Sequence, residues 1–263
     1  MLATRAPLTR DDLREILTLA LWAGSIVMEN GGNTIRVEET VHRLGTAMGA
    51  EWLEVFATPS GIIATDLYAG EHRTKVWRIV TANVDLSRLA AVSDLVRSAA
   101  PVGIDCRVVR QRLEQIAAQP RVYSERATTS AVALACASFA ILFGGGAREF
   151  LATLVAAVLS QLTRTWLTRR RLSRPMTTGI AAAVGSMLAF ELAQGIGAPR
   201  PDLAMLSAVL LLVPGVFLVS SITDLITGHV LSAVAKAANV VLLTASIGIG
   251  LWFALLVTGS HLR

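Results

Sequence analysis

Long uncharged runs constrain the fold of this 263-residue chain more than any other feature of its sequence. Residues 127–147, 203–223 and 237–262 contain no Asp, Glu, Lys or Arg over 21, 21 and 26 positions. Each run is long enough to cross a bilayer, because a helix needs about 20 apolar residues to span the hydrocarbon core. The composition agrees: 53% of the residues are hydrophobic, 16% are charged, and the mean hydropathy is +0.57. The sequence therefore predicts an integral membrane protein.

Two further apolar runs complete a prediction of five membrane-spanning helices. Residues 175–198 contain a single charge, Glu191, and residues 150–163 continue past Arg164, whose long side chain can extend to the membrane surface. The spans are expected at about residues 127–146, 149–168, 175–197, 203–223 and 234–257. The predicted fold class is a membrane protein with an all-α bundle of five transmembrane helices, preceded by a soluble α/β domain. The predicted boundary divides the chain into residues 1–125 and 126–263.

The distribution of charge predicts the orientation of the chain. Five arginines occupy the connection between the second and third spans: Arg164, Arg169, Arg170, Arg171 and Arg174. Cytoplasmic loops are enriched in Lys and Arg, so this connection is expected in the cytoplasm. With five spans, residues 1–125 are then cytoplasmic and the C-terminal tail lies outside. The net charge of +5 comes entirely from residues 127–263, so it reflects topology and does not indicate nucleic-acid binding.

Residues 1–125 are predicted to form a cytoplasmic domain with the element order α-α-β-β-β-α-α. Apolar residues at helical spacing end at Asn30-Gly31-Gly32, and a second helix begins near Thr34. Asp85 and Asp105 are suited to cap two later helices. The strands are expected near residues 51–57, 62–68 and 73–80, with turns at 58–61 and 69–70. This alternation is typical of a three-stranded meander.

Catalytic or cofactor chemistry is not indicated. The histidines do not recur at the spacing of metal ligands, and no GxxxxGK[ST] or GxGxxG loop is present to bind a nucleotide. Cys106 belongs to the soluble part and Cys136 to a span, so a disulfide between them is not expected. We therefore expect no metal, no cofactor and no enzymatic activity.

The stretch Gly31-Gly32-Asn33-Thr34 leaves two interpretations open. It can be a plain turn between two helices, which is the favoured interpretation. It can also bind an anion, because the first amide groups of a helix lack partners and the helix dipole attracts negative charge.

Two motifs of this chain resemble those of a known family. The first is AGSIVMENGGNTIRVEETVHRLGTAMG, residues 23–49, and the second is LLLVPGVFLVSSITDLITGH, residues 210–229. They resemble, in the same order, the opening and late membrane signatures of the threonine/serine exporter family. The first motif contributes Gly32, Asn33, Thr34, Arg36 and Glu38, and the second Pro214, Gly215, Asp224, Gly228 and His229. The resemblance implies a cytoplasmic domain followed by a transporting bundle in the bacterial inner membrane.

The resemblance also implies a partner and a class of substrate. The longest members of the family carry a second set of spans, whereas this chain is similar to a split form. In that form, a larger subunit works with a small separate membrane protein. The expected substrate carries a carboxylate: threonine or serine first, and a C4 dicarboxylate such as succinate as the alternative. Whether the subunit also forms oligomers stays open.

Pro214-Gly215 interrupts an apolar run, which predicts a broken helix. Pro214 lacks the N–H that a helical hydrogen bond requires, and Gly215 offers little resistance to unwinding of the helix. Irregular backbone at membrane depth is tolerated where protein or a water-filled cavity satisfies its hydrogen-bonding groups. The exposed N-terminus of the second half-helix is then suited to bind a carboxylate. Ser220 and Ser221 are expected to line such a site. The alternative is a proline kink that affects packing alone.

Polar residues near the same run are the remaining site candidates. One interpretation is that Asp224 pairs with Lys236 across the connection between two spans. The other is that Asp224 takes up a proton or binds a substrate ammonium, and that Lys236 tunes the proton affinity of Asp224. Asn239 lies three residues after Lys236, on the same helical face. Glu191 is a second acid within a predicted span. These residues, together with the absent nucleotide motif, favour a proton-coupled secondary exporter over the rival function of a membrane-anchored sensor or scaffold.

Overall fold

Two structural units share the chain, and each uses two separate segments. The structure is a computed structural model that describes residues 8–68, 71–80, 83–99, 103–120 and 122–259. The first unit comprises Met1–Pro120 and Val216–Ala237, and the second comprises Arg121–Gly215 and Ala238–Arg263. Residues 216–237, which the sequence assigns to the membrane part, thus join the N-terminal elements.

The N-terminal elements follow the predicted order α-α-β-β-β-α-α. They are α1 (Arg10–Glu29), α2 (Thr34–Met48), β1 (Trp52–Thr58), β2 (Gly61–Tyr68), β3 (Glu71–Arg78), α3 (Leu86–Ala99) and α4 (Cys106–Ala118). The strands form an antiparallel meander in the order β1-β2-β3, with Thr58 opposite Gly61 across the first turn. The second predicted turn, at residues 69–70, lies outside the described residues.

Capping side chains explain where these helices begin. Thr9 and Asp12 form a reciprocal capping box at the start of α1, in which each side chain binds the other residue's amide. The Asp85 carboxylate accepts the amide of Arg88 at 3.3 Å, and the Asp105 carboxylate accepts that of Arg107 at 2.7 Å. The capping roles predicted for Asp85 and Asp105 are therefore confirmed.

The core of the first unit lies between α1 and the elements that surround it. Leu19 and Leu21 are fully buried although they lie on different sides of α1, because helices and the sheet pack around it. In β2, the buried residues Ile62, Ala64 and Asp66 alternate with residues that are exposed or half-buried. Asp66 is therefore a carboxylate on the core face of the sheet.

The second unit is helical. Its helices are α5 (Glu125–Leu142), α6 (Ala147–Arg169), α7 (Arg174–Gly195) and α8 (Pro201–Val209), followed by a 3₁₀ turn at Leu210–Leu212. Two further helices are α9 (Gly215–Ile226), which belongs to the first unit from Val216 onwards, and α10 (Val230–Thr258), which belongs to the first unit up to Ala237 and to the second from Ala238. Small residues let helices of the second unit approach closely: a Cβ on Gly250 would collide with the backbone carbonyl of Gly179.

Among the described residues, three helices are long and apolar enough to cross a membrane: α6, α7 and α10. The pair formed by Pro201–Leu212 and Gly215–Ile226 is a fourth candidate if the two bent helices count as one span. The first predicted span corresponds to α5, whose uncharged part covers residues 127–142 before a glycine-rich turn ends the helix. Sixteen residues are fewer than the usual 20, so the five-span count stays a prediction.

The break predicted at Pro214-Gly215 is present. The α-helical pattern ends at Val209, a 3₁₀ turn follows, and Val213 is extended, with a ψ of 129°. The two helices on either side are bent by 57°. The missing N–H of Pro214 and its ring explain why the regular helix cannot continue through this point.

Candidate functional site

The two sequence motifs meet inside the first unit. Five residues form what we call the motif cluster: Gly32, Thr34, Ser220, Asp224 and Lys236. The first two belong to the turn before α2 and the beginning of that helix, the next two to α9, and Lys236 to the start of α10. Residues 190 positions apart in the chain are thereby joined by direct hydrogen bonds.

Two glycines shape the turn between α1 and α2. Gly31 has a φ of +97° and its amide bonds the carbonyl of Met28, while the Gly32 amide bonds that of Val27. These two bonds form a Schellman motif, for which a left-handed residue is required. A Cβ on Gly32 would lie 2.8 Å from the Val27 carbonyl oxygen. The turn therefore presents the Gly32 carbonyl and the Thr34 amide to the cluster.

Asp224 is bound at the N-terminus of α2. Its Oδ1 accepts the Thr34 backbone N–H at 2.8 Å, and its Oδ2 accepts the Thr34 hydroxyl at 2.9 Å. The side chain of Asp224 is 0% exposed. A negative charge is favoured at this end of a helix. The stretch Gly31-Gly32-Asn33-Thr34 is a turn between two helices, and the anion at the start of α2 is a carboxylate of the same chain.

Lys236 neutralises Asp224 and links both motifs. Its Nζ lies 2.7 Å from Asp224 Oδ2 and donates to the Ser220 hydroxyl at 2.9 Å and to the Gly32 carbonyl at 3.2 Å. Three partners match the three donors of an ammonium group. The side chain is 7% exposed, so the ion pair is removed from water. Removing one member of a buried pair costs about 3–5 kcal/mol, because the other charge is left uncompensated.

The Gly-His pair of the second motif makes the turn that brings Asp224 and Lys236 together. Gly228 has a φ of +85°, and the amides of Gly228 and His229 bond the carbonyls of Leu225 and Asp224. This is again a Schellman motif, here at the end of α9. His229 then lies with its Nε2 3.7 Å from Glu38 Oε2, a contact that is ionic when the imidazole is protonated. Glu38 lies one helical turn after Thr34, so α2 contacts this region twice.

Sequence reasoning missed one buried contributor, Ser232. Its hydroxyl donates to the Ala57 carbonyl at 3.2 Å, while Glu38 Oε1 accepts the Ala57 amide at 3.1 Å. The start of α10 and the middle of α2 thus satisfy the backbone at the end of the edge strand β1. The signal for Ser232 was its position four residues before Lys236, on the same face of one helix. Ser221, which was predicted, donates to the Ala233 carbonyl at 2.9 Å.

The other predicted residues lie elsewhere. Asn33 caps α2 by accepting the Arg36 amide, and the Arg36 guanidinium donates to Ser93 on α3. Pro214, Gly215, Glu191 and Asn239 belong to the second unit, where the side chains of Glu191 and Asn239 are exposed. Their place in a transport pathway stays a prediction. Within the described residues, no group of three His, Cys, Asp or Glu side chains is arranged to hold a metal ion.

The chemistry of the motif cluster is that of a carboxylate-binding site that is already filled. An amide N–H, a hydroxyl and an ammonium group converge on the two oxygens of Asp224. The charges balance, and the polar atoms bond one another. A carboxylate is recognised here by the same kinds of groups that recognise it in ligands.

Comparison with known proteins agrees with the motifs. The chain matches the family model described as "Putative threonine/serine exporter" over residues 18–258. It is 27% identical to the "Probable succinate transporter subunit YjjP" of Klebsiella aerogenes, over 95% of this chain and 96% of that protein. It is 28% identical to the protein of the same name in Escherichia coli (strain K12), over 94% of this chain and 96% of that protein.

A longer relative covers the same region. The chain is 25% identical to the "Probable threonine/serine exporter" of Mycobacterium tuberculosis over 93% of this chain, but it spans 47% of that protein. No solved structure matches the chain. The family model covers nearly all of the sequence, including both segments that build the motif cluster. The protein therefore belongs to the threonine/serine exporter family.

Proposed function

We propose that this chain is the larger subunit of a secondary exporter that carries a small carboxylate-bearing metabolite out of the bacterial cell. The observation that carries the proposal is the motif cluster, in which both family motifs form one buried carboxylate-binding arrangement. A simple membrane anchor has no need of a buried Asp–Lys pair at the start of its longest apolar helix. Coupling to the proton gradient fits this pair, because a carboxylate can exchange its charge for a proton.

Two substrates fit the carboxylate chemistry. The longer relative is named for threonine and serine, and the two relatives that match from end to end are named for succinate. The two relatives that match over 96% of their own length favour a C4 dicarboxylate. The transport assay must therefore compare both substrates.

The partner is proposed to be a second membrane protein. The two end-to-end relatives are named subunits, and the chain spans about half of the longer exporter. We propose that the subunit itself crosses the membrane five times, with its N-terminus in the cytoplasm. In that arrangement α5 is the first span, and the bent pair at Pro214 is the fourth.

Transport from loaded proteoliposomes tests the proposal. Vesicles are loaded with radiolabelled succinate, threonine or serine, and efflux is followed under an imposed pH gradient. The expected result is substrate-specific efflux when the chain is reconstituted with a candidate small subunit from the same genome, and slow efflux without it. Robust export by this chain alone would refute the split-subunit proposal. Ligand binding without export in either preparation would support the sensor function instead.

A further inference from the structure

Asp224 occupies the position that a bound carboxylate would take. We propose that the carboxylate of the transported metabolite replaces Asp224 on the Thr34 amide, the Thr34 hydroxyl and the Lys236 ammonium, and that the displaced Asp224 takes up one proton. The cluster thus binds a carboxylate and a proton together. This inference rests on the proposed function and adds the binding site and its coupling to protons.

The donors of the cluster are suited to a ligand carboxylate. Thr34 donates to both oxygens of Asp224, with distances of 2.8 and 2.9 Å, and Lys236 lies 2.7 Å from one of them. None of these contacts depends on the rest of the aspartate side chain. A metabolite carboxylate can make the same three contacts. The 0% exposure of Asp224 shows the closed arrangement, in which the chain's own carboxylate excludes the ligand.

Charge balance requires the proton. Asp224 and Lys236 together are neutral, and a second carboxylate would leave the cluster with a net negative charge. A buried, unpaired carboxylate is strongly disfavoured, so the displaced Asp224 is expected to be protonated. The filled site then contains a neutral Asp224, the Lys236 ammonium and the ligand carboxylate, and its charge is unchanged.

Neighbouring charged groups do not supply an alternative counter-charge. On α2, Glu38 faces His229 and the Arg36 guanidinium is bonded to Ser93, so neither contacts Asp224. On α10, the charged partner of Asp224 is Lys236 itself. Protonation of His229 would strengthen its contact with Glu38 and leave the cluster's own charge unchanged. The proton that balances the ligand therefore belongs on Asp224.

The ends of α9 allow Asp224 to move away. Gly215 begins α9 after the break, and Gly228 follows its end. Within the described residues, no atom outside the local backbone lies within 4 Å of a Cβ built on either glycine. Glycine has wider backbone freedom than other residues, so the two ends of α9 are suited to a change of backbone angles. Rotation of α9 between them would withdraw Asp224 together with Ser220, so Lys236 would also lose its bond to the Ser220 hydroxyl.

Chemical rescue tests the carboxylate site directly. In the Asp224→Ala variant, the donors face a space the size of a carboxylate. Sodium formate is expected to raise the melting temperature of this variant in detergent, whereas sodium chloride at equal ionic strength is not. The matched control is the Asp224→Ala, Lys236→Met double variant, on which formate should have no effect. A formate effect of equal size in the control, or no effect in Asp224→Ala, would overturn the inference.

The proton is tested on the whole protein, which also covers the case in which Asp224→Ala does not fold. Binding of succinate and threonine to the wild-type chain with its small subunit is measured between pH 8 and pH 6. Because binding is accompanied by uptake of one proton, the Kd should fall about tenfold per pH unit over this range. The near-isosteric Asp224→Asn variant should bind without this pH dependence. A pH-independent Kd in the wild type, with export intact, would refute the inference and leave the proposed function standing.

Discussion

At the scale of single residues, a buried ion pair explains why two charges interrupt an otherwise apolar sequence. Asp224 and Lys236 lie 12 positions apart, and the Schellman turn at Gly228 places them on facing elements. Thr34 adds two hydrogen bonds from a distant part of the chain. Measurements of stability and of export separate the structural role of this pair from its role in transport.

The first prediction concerns the charge of Asp224. Asp224→Asn is nearly isosteric but leaves Lys236 buried without a counter-charge, so stability should fall by about 3–5 kcal/mol and export should be lost. The double variant Asp224→Asn, Lys236→Met removes both charges and should regain most of the stability while staying inactive. Thermal unfolding in detergent and efflux from proteoliposomes provide the two readouts. If export returns together with stability, the pair is structural, and the pathway must be sought around Pro214 and Glu191.

A second prediction concerns Asp66, the carboxylate on the core face of β2. Burial raises the pKa of Asp66, Glu51 raises it further, and Arg73 lowers it. Its Oδ1 accepts no hydrogen bond from the described residues. Since the folded-state pKa lies above the unfolded value, the charged form favours unfolding once the pH rises above the ordinary aspartate value of 3.8.

Asp66→Asn should therefore raise the melting temperature at pH 7 and change it less near pH 3, below the ordinary value of 3.8, where the carboxyl is mostly protonated in both the folded and the unfolded state. Asp94→Asn on α3 is the control, since the Asp94 side chain is 72% exposed. Thermal unfolding of the full chain in detergent at both pH values measures the difference. Destabilisation by Asp66→Asn at pH 7 would show that the charge has a favourable partner in the fold.

At the scale of elements, local signals predicted most of the structure and long-range contacts escaped prediction. The helix caps at Asp85 and Asp105 and the break at Pro214 depend on nearby residues, so they could be read from the sequence. The attachment of α9 to the beginning of α2 joins positions about 190 residues apart. The spacing of apolar residues along the chain cannot predict a contact between such distant positions. The sequence did contain one clue, since opposite charges in an apolar stretch need partners.

A capping carboxylate in the second unit was missed for the same reason. Glu149 is 1% exposed and accepts the amides of Gly146 at 2.8 Å and Arg200 at 2.9 Å. It therefore ties the turn before α6 to the segment before α8. The Gly146-to-Glu149 spacing is the local half of a capping box and could have been recognised. The second bond, from the Arg200 amide 51 positions away, could not be predicted from the sequence.

The third prediction tests the turn between α9 and α10. Gly228→Ala places a Cβ on a residue with a φ of +85°, which costs roughly 1–2 kcal/mol in the left-handed region. Stability should fall and the geometry of the motif cluster should loosen, so export should slow as well. Gly248→Ala is the control within α10, because it has helical geometry and open space, and it should be neutral or stabilising. Equal effects of the two substitutions on melting temperature would contradict the turn's role.

At the scale of the whole molecule, the length of α10 relates the motif cluster to the membrane. Its 29 residues extend about 43 Å, more than the roughly 30 Å of a hydrocarbon core. Its last 21 residues, from Ala238 to Thr258, belong to the second unit, carry no charge and extend about 31 Å. The part of α10 that holds Lys236 is therefore expected beyond the hydrocarbon, with the Asp224–Lys236 pair buried within protein rather than in lipid.

The last prediction is the membrane topology, tested with single cysteines at Tyr123, Ser173 and Ser260. Tyr123 precedes α5, Ser173 precedes α7, and Ser260 follows α10, beyond the described residues. Five spans with a cytoplasmic N-terminus place the first two positions inside and the third outside. A membrane-impermeant maleimide should then label Ser260→Cys in intact cells, and Tyr123→Cys and Ser173→Cys after permeabilisation. The native thiols should react slowly near pH 7, since burial raises the pKa of Cys106 to about 11 and Cys136 is buried.

Three departures from this labelling pattern would bear on particular parts of the proposed topology. If Tyr123 and Ser173 lie on opposite sides, α5 does not cross the membrane, as its short uncharged part of 16 residues would allow. If Ser173 and Ser260 lie on the same side, the bent pair at Pro214 enters and leaves through one surface, because α7 and α10 then supply two crossings between them. A pattern with Ser173 outside would contradict the orientation derived from the arginine cluster. In that case the carboxylate site would have to be assigned to the opposite side of the membrane.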